Sequence, residues 1–308
     1  MVIKHAVQEA ERGRTVNSIL RHALCLSAGL IRRLKQADAI CVDGQVVWTD
    51  HIAQPGDLLE LDISAVEPPC DVVPEIGDLR ILYEDAGLLA ACKLPGVLTH
   101  PSRARYTGTL ANHVAGYLEQ TTGDGRCHAV NRLDRDTSGV VLFAKNSYMK
   151  ARASEALGAP EAVKTYLALV CGMMAEPSGT IDLPIRRFCE GDMRRVTAPD
   201  GQRAVTHYET VKTKATGDAG VSLLRLRLET GRTHQIRVHC LAIGHPVLGD
   251  RLYFAEASKN VSEQLGIETQ ALHAHRLTFT EPLSGKAVDL TAPLPSIFAT
   301  IFPDENIY

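Results

Sequence analysis

The chain has 308 residues, 45% of them hydrophobic and 22% charged, with a formal net charge of −3. That is enough to bury a substantial core, in one large domain or in a small domain beside a larger one. The acidic balance excludes a uniformly basic surface, so any affinity for polyanions has to come from local charge.

Residues 15–63 read as a compact unit. In TVNSILRHAL, Val16, Ile19, Leu20 and Leu24 share one side of an amphipathic helix. Ser27 is placed to cap a second helix, AGLIRRLKQA, with Leu30, Ile31 and Leu34 on one face and Arg32, Arg33 and Lys35 on the rest. ICVDGQVVW reads as a hairpin turning at Asp43-Gly44, and LLELDI as a strand after the Pro55-Gly56-Asp57 turn. A unit of about 50 residues is near the lower limit for independent folding. Residues 64–78, SAVEPPCDVVPEIGD, carry three prolines and no helical period, as a linker would. The expected division is therefore 1–63, a linker at 64–78, and a large domain over 79–308.

In the large domain, ILYED and LLAACK are strand candidates, and TLANHVAGYLEQ is a helix. VVLFAK has the pattern of a buried strand, directly after a DTSG turn. KTYLALVCG is a further strand, and LLRLRLET alternates strictly, which predicts a half-exposed one. TGRTHQIRVHCLAIGHP switches to helical spacing, with a helix over 233–243 stopped at Gly244 and Pro246. ALHAHRLTFTEP and KAVDLTAPLP close the chain as strands and turns. The fold class expected is α+β, a mixed but mostly antiparallel sheet flanked by helices.

No apolar run is long enough to span a bilayer, and MVIKHAVQEAERGR lacks the apolar stretch of a signal peptide. A cytoplasmic protein with no membrane partner is the expectation. The eight cysteines include no C-x-x-C pair, so reduced, buried thiols are expected rather than a zinc site or a disulfide framework.

Charge is uneven along the chain. Residues 132–152 and 225–251 each carry a net +3, and residues 186–203 a net +2, with five arginines in that last segment. On one face these segments would attract a polyanion; scattered, they are ordinary solvated surface. Three stretches could carry chemistry. In HAVNRLDRDTSG, Asp134 sits between Arg132 and Arg135 before small residues that permit a tight turn. It is either a turn aspartate bonding local backbone or a carboxylate held to react. In the helical stretch His234 and Arg237 lie three apart, and Arg237 offers a planar cation to a carboxylate. Tyr166 in KTYLALV is either core packing or an active-site ring. His234, His239, His245, His273 and His275 invite a metal reading, but no H-E-x-x-H and no acidic ligand at helical spacing accompanies them. G-x-G-x-x-G, G-x-x-x-x-G-K-[ST] and G-x-S-x-G are all missing, so no nucleotide cofactor or serine nucleophile is expected.

NRLDRDTSG, KTYLALV and GRTHQIRVHCLAIGHPVLGD occur in that order, with YED…KLPG…HP at 83–101 and ALHAHRLTF at 271–279. Together they resemble the RluA family of RNA pseudouridine synthases over essentially all of 79–308. The resemblance implies that family's catalytic fold and the isomerisation of uridine in RNA to pseudouridine, without cofactor or metal. It places the catalytic aspartate on Asp134, an active-site tyrosine on Tyr166 and the aspartate's arginine partner on Arg237. Arg132 is similar to the residue that helps displace the target base, Lys145 to a lysine near the active site, and Leu272 to an apolar pocket wall. LSAGLIRRLKQADAICVDGQVV looks like an S4-like RNA-binding domain, which would put Arg32, Arg33 and Lys35 against phosphates, although residues 15–63 carry a net −2. The implied partner is RNA, large-subunit ribosomal RNA ahead of transfer RNA. Two positions depart from the family pattern: Asn131 stands where histidine is common and Leu94 where proline is usual. The rival classes are an RNA-binding protein without turnover and a histidine-metal phosphoesterase.

Overall fold

The computed structural model describes residues 1–102, 105–216 and 219–303. The chain opens with β1 (Val2–Ala6), α1 (Val16–His22), α2 (Ala28–Gln36), β2 (Ile40–Val42), β3 (Gln45–Val46) and β4 (Leu58–Asp62). Thr15 caps α1 by accepting from the Ser18 amide, and Ser27 caps α2 by accepting from Leu30. β2 and β3 form the hairpin expected around Asp43-Gly44, where both residues take positive φ. The four strands make a small sheet in the order β1-β4-β2-β3. β1 was not foreseen from the sequence.

The remainder contains β5 (Arg80–Glu84), β6 (Leu88–Lys93), α3 (Leu110–Thr122), β7 (His128–Ala129), β8 (Ser138–Ala144), α4 (Ser147–Gly158), β9 (Val163–Cys171), β10 (Ser178–Asp182), β11 (Ile185–Arg187), β12 (Arg195–Thr197), β13 (Val205–Lys214), β14 (Val221–Leu228), α5 (Gln235–Ala242), α6 (Glu256–Gln264), β15 (Leu272–Thr280), β16 (Ala287–Thr291) and α7 (Ser296–Ile301). Eight strands form the path β10-β13-β14-β9-β15-β8-β6-β5, with β16 beside β15 and β7 beside β8. All pairings are antiparallel except β15 with β8. The architecture is the α+β fold expected, a mixed sheet flanked by helices. β11 and β12 stand apart as a two-stranded ribbon.

β15 joins two halves of the large sheet. β5 to β8 come from the N-terminal side of the chain, and β9, β10, β13 and β14 from the middle. β15, made last of these, lies between β8 and β9. Its approach to β8 requires Gly139: at φ +119 the position is left-handed, and a Cβ there would lie 2.2 Å from the Ala274 carbonyl oxygen.

Alternation along the strands builds a core on each face. On one face Leu89, Ala91, Val141 and Phe143 pack under α3, and Ala168, Val170, Leu224 and Leu226 pack under Ile236 and Cys240 of α5. On the other, Leu167, Leu169, Val221 and Leu223 meet α6 and α7. The alternation expected for LLRLRLET holds from Leu224 onward, where Leu224 and Leu226 are buried and Arg225, Arg227 and Glu229 are the more exposed; only the start of the strand, residues 221–224, is buried on both faces.

A single apolar cluster runs from Ile19, Leu34 and Leu59 of the N-terminal elements to Leu88, Val140, Leu142 and Leu277 of the large sheet. The proline-rich segment between them is tied down. Glu67, its side chain 1% exposed, accepts hydrogen bonds from His128 Nε2 at 3.0 Å and from the Ser147 amide and hydroxyl at 2.7 and 2.9 Å. Burial alone would raise its pKa, but these bonds outweigh it and hold the carboxyl below its ordinary value. A carboxyl with a depressed folded pKa contributes stability above the unfolded value of 4.5, and that contribution is lost as pH falls through the folded value. Glu67→Gln is expected to lower the melting temperature near neutral pH, with the gap to wild type closing on acidification below about pH 4. A gap that stays constant across that range would contradict the linkage.

Candidate active site

Asp134 lies in the loop that leads into β8, and that loop is held from four directions. The Thr99 hydroxyl donates to the Leu133 carbonyl at 3.0 Å and accepts from the Leu133 amide at 3.2 Å. Gln270 Nε2 donates to Thr137 Oγ1 at 2.5 Å. Arg135 Nε donates to the Gly96 carbonyl at 3.1 Å. Lys93, fully buried, donates from Nζ to the carbonyls of Leu94, Val97 and Arg135 at 3.0, 2.7 and 2.7 Å. An ammonium has three donors, and here each has its own carbonyl. Burial pushes the Lys93 pKa down to about 8, with the charges of Asp136 and Asp134 pulling against it. The KLPGVLT stretch thus clamps the loop that bears Asp134.

Arg237, in the first turn of α5, reaches Asp134 from the other half of the sheet. Its Nη1 donates to Asp134 Oδ2 at 2.9 Å. Its remaining edge is gripped by a second carboxylate: Nε donates to Asp250 Oδ2 at 2.6 Å and Nη2 to Asp250 Oδ1 at 2.9 Å. Asp250 Oδ1 also accepts from the amides of Leu252 and Tyr253 at 2.9 and 3.0 Å. The Tyr253 ring lies 4.9 Å from the guanidinium carbon. Burial disfavours the Arg237 charge, but the hydrogen bonds and charge of Asp250, with Asp134 behind them, more than offset it and raise its pKa. Asp250 is enclosed and saturated. Asp134 keeps 27% of its side chain exposed, and its Oδ1 has no hydrogen-bond partner among the described residues.

Asp134 opens into a pocket walled by Arg132, Leu133, Thr137, Tyr166, Leu228, residues 231–237 and Leu272. It is the only carboxylate in that lining. Tyr166 projects from β9 on the α5 face, packed against both apolar clusters of that face. Burial and then the Asp134 charge push its phenol up to about 12, so it stays protonated. Its hydroxyl has no hydrogen-bond partner among the described residues. Leu272 forms an apolar wall at the start of β15. Arg132 is exposed at the rim, without a hydrogen-bond or ion-pair partner among the described residues.

His234 corrects the expected helix. α5 starts at Gln235, and His234 precedes it as the N-cap residue at φ 59. That turn places its ring against the Tyr253 hydroxyl, with Nδ1 at 2.8 Å, and Nε2 at 3.9 Å from Asp134. Burial lowers its pKa, with Asp134 opposing. Gln235 staples the same loop. Its Nε2 donates to Val205 O and Thr206 Oγ1, and its Oε1 accepts from Thr230 Oγ1 and the Arg232 amide.

Asp134, Tyr166, Arg237, Arg132 and Leu272 are therefore brought together. Lys145 is not. It follows the far end of β8, a strand about 20 Å long that leads away from the Asp134 loop, and its Nζ pairs with Glu84 at 2.8 Å. Arg32, Arg33 and Lys35 also lie outside the pocket, exposed on α2; Arg33 donates to the Val66 carbonyl and Lys35 lies over Trp48. Among the described residues no three potential metal ligands converge, although the rings of His273 and His275 lie 5.8 Å apart. His239 is bonded to Thr206 and Leu183, His245 to Cys171, and His273 to Ser138. Asn131 bonds the β8 backbone at Val140 and Leu142 and does not line the pocket. Asp250, Lys93 and Tyr253 were not foreseen. The one available signal was Asp250, an acid closing the same stretch that contains Arg237.

Asp134 and Arg237 thus meet at the seam between the two halves of a mixed sheet. The RNA pseudouridylate synthase family profile matches residues 87–242. The chain is 36% identical over 290 residues to the uncharacterized RNA pseudouridine synthase YhcT of Bacillus subtilis, covering 94% of this chain and 93% of that one. It is 36% identical over 256 residues to ribosomal large subunit pseudouridine synthase D of Zymomonas mobilis, covering 80% and 78%. In structure it is similar to human RNA pseudouridylate synthase domain containing 1, with a TM-score of 0.58 and 27% identity over 75% of this chain and 89% of that one. The protein belongs to the RNA pseudouridylate synthase family and is an RNA pseudouridine synthase, an isomerase.

Asp250→Ala leaves the Arg237 guanidinium buried with one carboxylate instead of two. It is expected to destabilise the fold by about 3–5 kcal/mol, measured by urea denaturation. A loss below about 1 kcal/mol would mean that the pair contributes little to the fold.

Proposed function

We propose that Asp134 carries the isomerisation and that the substrate is a uridine of large-subunit ribosomal RNA. Uridine and pseudouridine have the same atoms. The bond from the sugar to a ring nitrogen breaks, the base turns, and a bond from the sugar to a ring carbon forms. That carbon loses its proton and the nitrogen gains one. No electron or group donor enters the balance.

The observation that carries the reading is the asymmetry of the two aspartates on Arg237. Both oxygens of Asp250 are engaged, with four hydrogen bonds between them, whereas Asp134 presents to the pocket an oxygen without a partner among the described residues. Arg237 keeps Asp134 aimed into the pocket through its Nη1 hydrogen bond. Tyr166 and Leu272 supply flat and apolar walls suited to a flipped base. Arg132, free at the rim, is placed to occupy the gap that the base leaves in the stack. Extrusion of the base costs a few kcal/mol, and contacts outside the pocket must supply it. The exposed Arg32, Arg33 and Lys35 of α2 are candidates for such contacts in an N-terminal RNA-binding unit. Two similar proteins, from Zymomonas mobilis and Xanthomonas campestris, bear the name ribosomal large subunit pseudouridine synthase D, which supports the choice of RNA.

Pseudouridine mapping of total RNA from cells with and without the gene tests the target. Loss of one or a few large-subunit sites is expected, and loss confined to transfer RNA would overturn that part. Asp134→Asn is expected to lower the rate on the mapped site by roughly 10⁴-fold or more while the protein stays folded. A near-normal rate would remove Asp134 from the chemistry.

A further inference from the structure

Beside the catalytic pocket, and sharing Gly231, Arg232 and Thr233 with it, lies a second pocket lined by Arg186, Arg187, Arg195, Asp200 and Gln202. Four of its residues are arginines, and one is an acid. Asp200 is engaged by Arg186 Nε at 3.0 Å. Arg187, Arg195 and Arg232 have no carboxylate partner among the described residues. Arg187 and Arg195 are register partners across the β11–β12 ribbon, so two like charges face each other on one side of it. Such a pair is unfavourable in the free protein, and an anion between them would relieve it.

The ribbon is also fixed to the catalytic residues. The Arg195 amide donates to the Tyr253 hydroxyl at 2.6 Å, and Tyr253 packs on both Arg237 and His234. Arg232 lines both pockets, and its amide is held by Gln235. At the ribbon's tip, Phe188 and Met193 are 47% and 74% exposed, and Arg194 lies over the Phe188 ring at 4.5 Å. Arg194 is itself paired with Asp192 at 2.7 Å, but the ring adjoins Arg187 in the chain. An exposed aromatic near arginines that lack a carboxylate partner among the described residues suits a nucleic-acid strand, in which a phosphate meets the arginines and a base meets the ring.

We propose that this pocket binds an RNA backbone phosphate adjacent to the target uridine, with Arg187, Arg195 and Arg232 as its ligands. The inference rests on the reading of the first pocket as the site of base isomerisation. The strand leaves that pocket over Gly231–Thr233 and is fastened on the ribbon. Because the fastening acts beside the flipped base, it supplies binding energy for extrusion.

The test uses the full chain and total RNA purified from cells that lack the gene. Pseudouridine formation is followed at several RNA and salt concentrations for wild type and for the double variants Arg187→Gln/Arg195→Gln and Arg187→Lys/Arg195→Lys. The glutamine pair is expected to raise KM roughly tenfold, with a smaller change in kcat. Its plot of log kcat/KM against log salt should be shallower by roughly 1 to 2. The lysine pair keeps the charge and should restore most of the slope. An unchanged KM and slope in the glutamine pair, beside an active wild type, overturns the phosphate pocket alone. A lysine pair as impaired as the glutamine pair, with both melting early, assigns the arginines to the ribbon's fold and also overturns it. Wild type that forms no pseudouridine in any RNA would overturn the reading of the first pocket.

Discussion

The site depends on one guanidinium placed between two carboxylates. Arg237 is 9% exposed, and its charge would be costly there without Asp250, whose side chain is fully enclosed. The two form a neutral, fork-shaped pair whose geometry is fixed by two guanidinium donors, two backbone amides and two planar groups. What remains of the guanidinium, Nη1, is then a directed donor at the edge of the pocket, and Asp134 docks on it. The inner pair has the character of structure and the outer one that of chemistry. Both use the same residue types, and only the number of partners separates them.

The loop carrying Asp134 adds the complementary constraint. Lys93, Thr99, Gly96 and Gln270 hold it through backbone carbonyls and hydroxyls rather than through the Asp134 side chain. The carboxylate is therefore positioned without its acceptor capacity being used up. A buried ammonium is an expensive way to secure three carbonyls, and its placement one residue from Asp134 shows where rigidity is needed.

Local patterns were readable where local physics decides. The apolar face of α1, the cap of α2, the Asp43-Gly44 hairpin, α3, and the apolar strands β6, β8 and β9 follow from spacing and turn chemistry. The grouping of Asp134, Tyr166 and Arg237 was legible only through the resemblance, since 103 residues separate the first from the last. Asp250 and Lys93 derive their roles from partners that exist only once the sheet closes. The alternation of β14 marked its more exposed side, but not the second layer that buries the strand's first residues. Lys145, matched through the resemblance, stands apart because β8 runs away from the pocket. The short strands β10 to β12 and the longer β13 were not read as strands, although the arginines of β11 and β12 were visible as charge.

The position of β15 bears on how the protein comes into being. Until that strand is inserted, β8 and β9 are two apolar half-sheet edges with unfilled hydrogen-bonding groups, of the kind that invites intermolecular pairing. Asp134 then belongs to one half, and Tyr166 and Arg237 to the other. The pairing that unites them, His273 with Ser138, spans 135 residues, so contact order alone makes it a late event. A chain emerging from the ribosome therefore holds Asp134 in one half-sheet and its arginine partner in the other until β15 has appeared to join them.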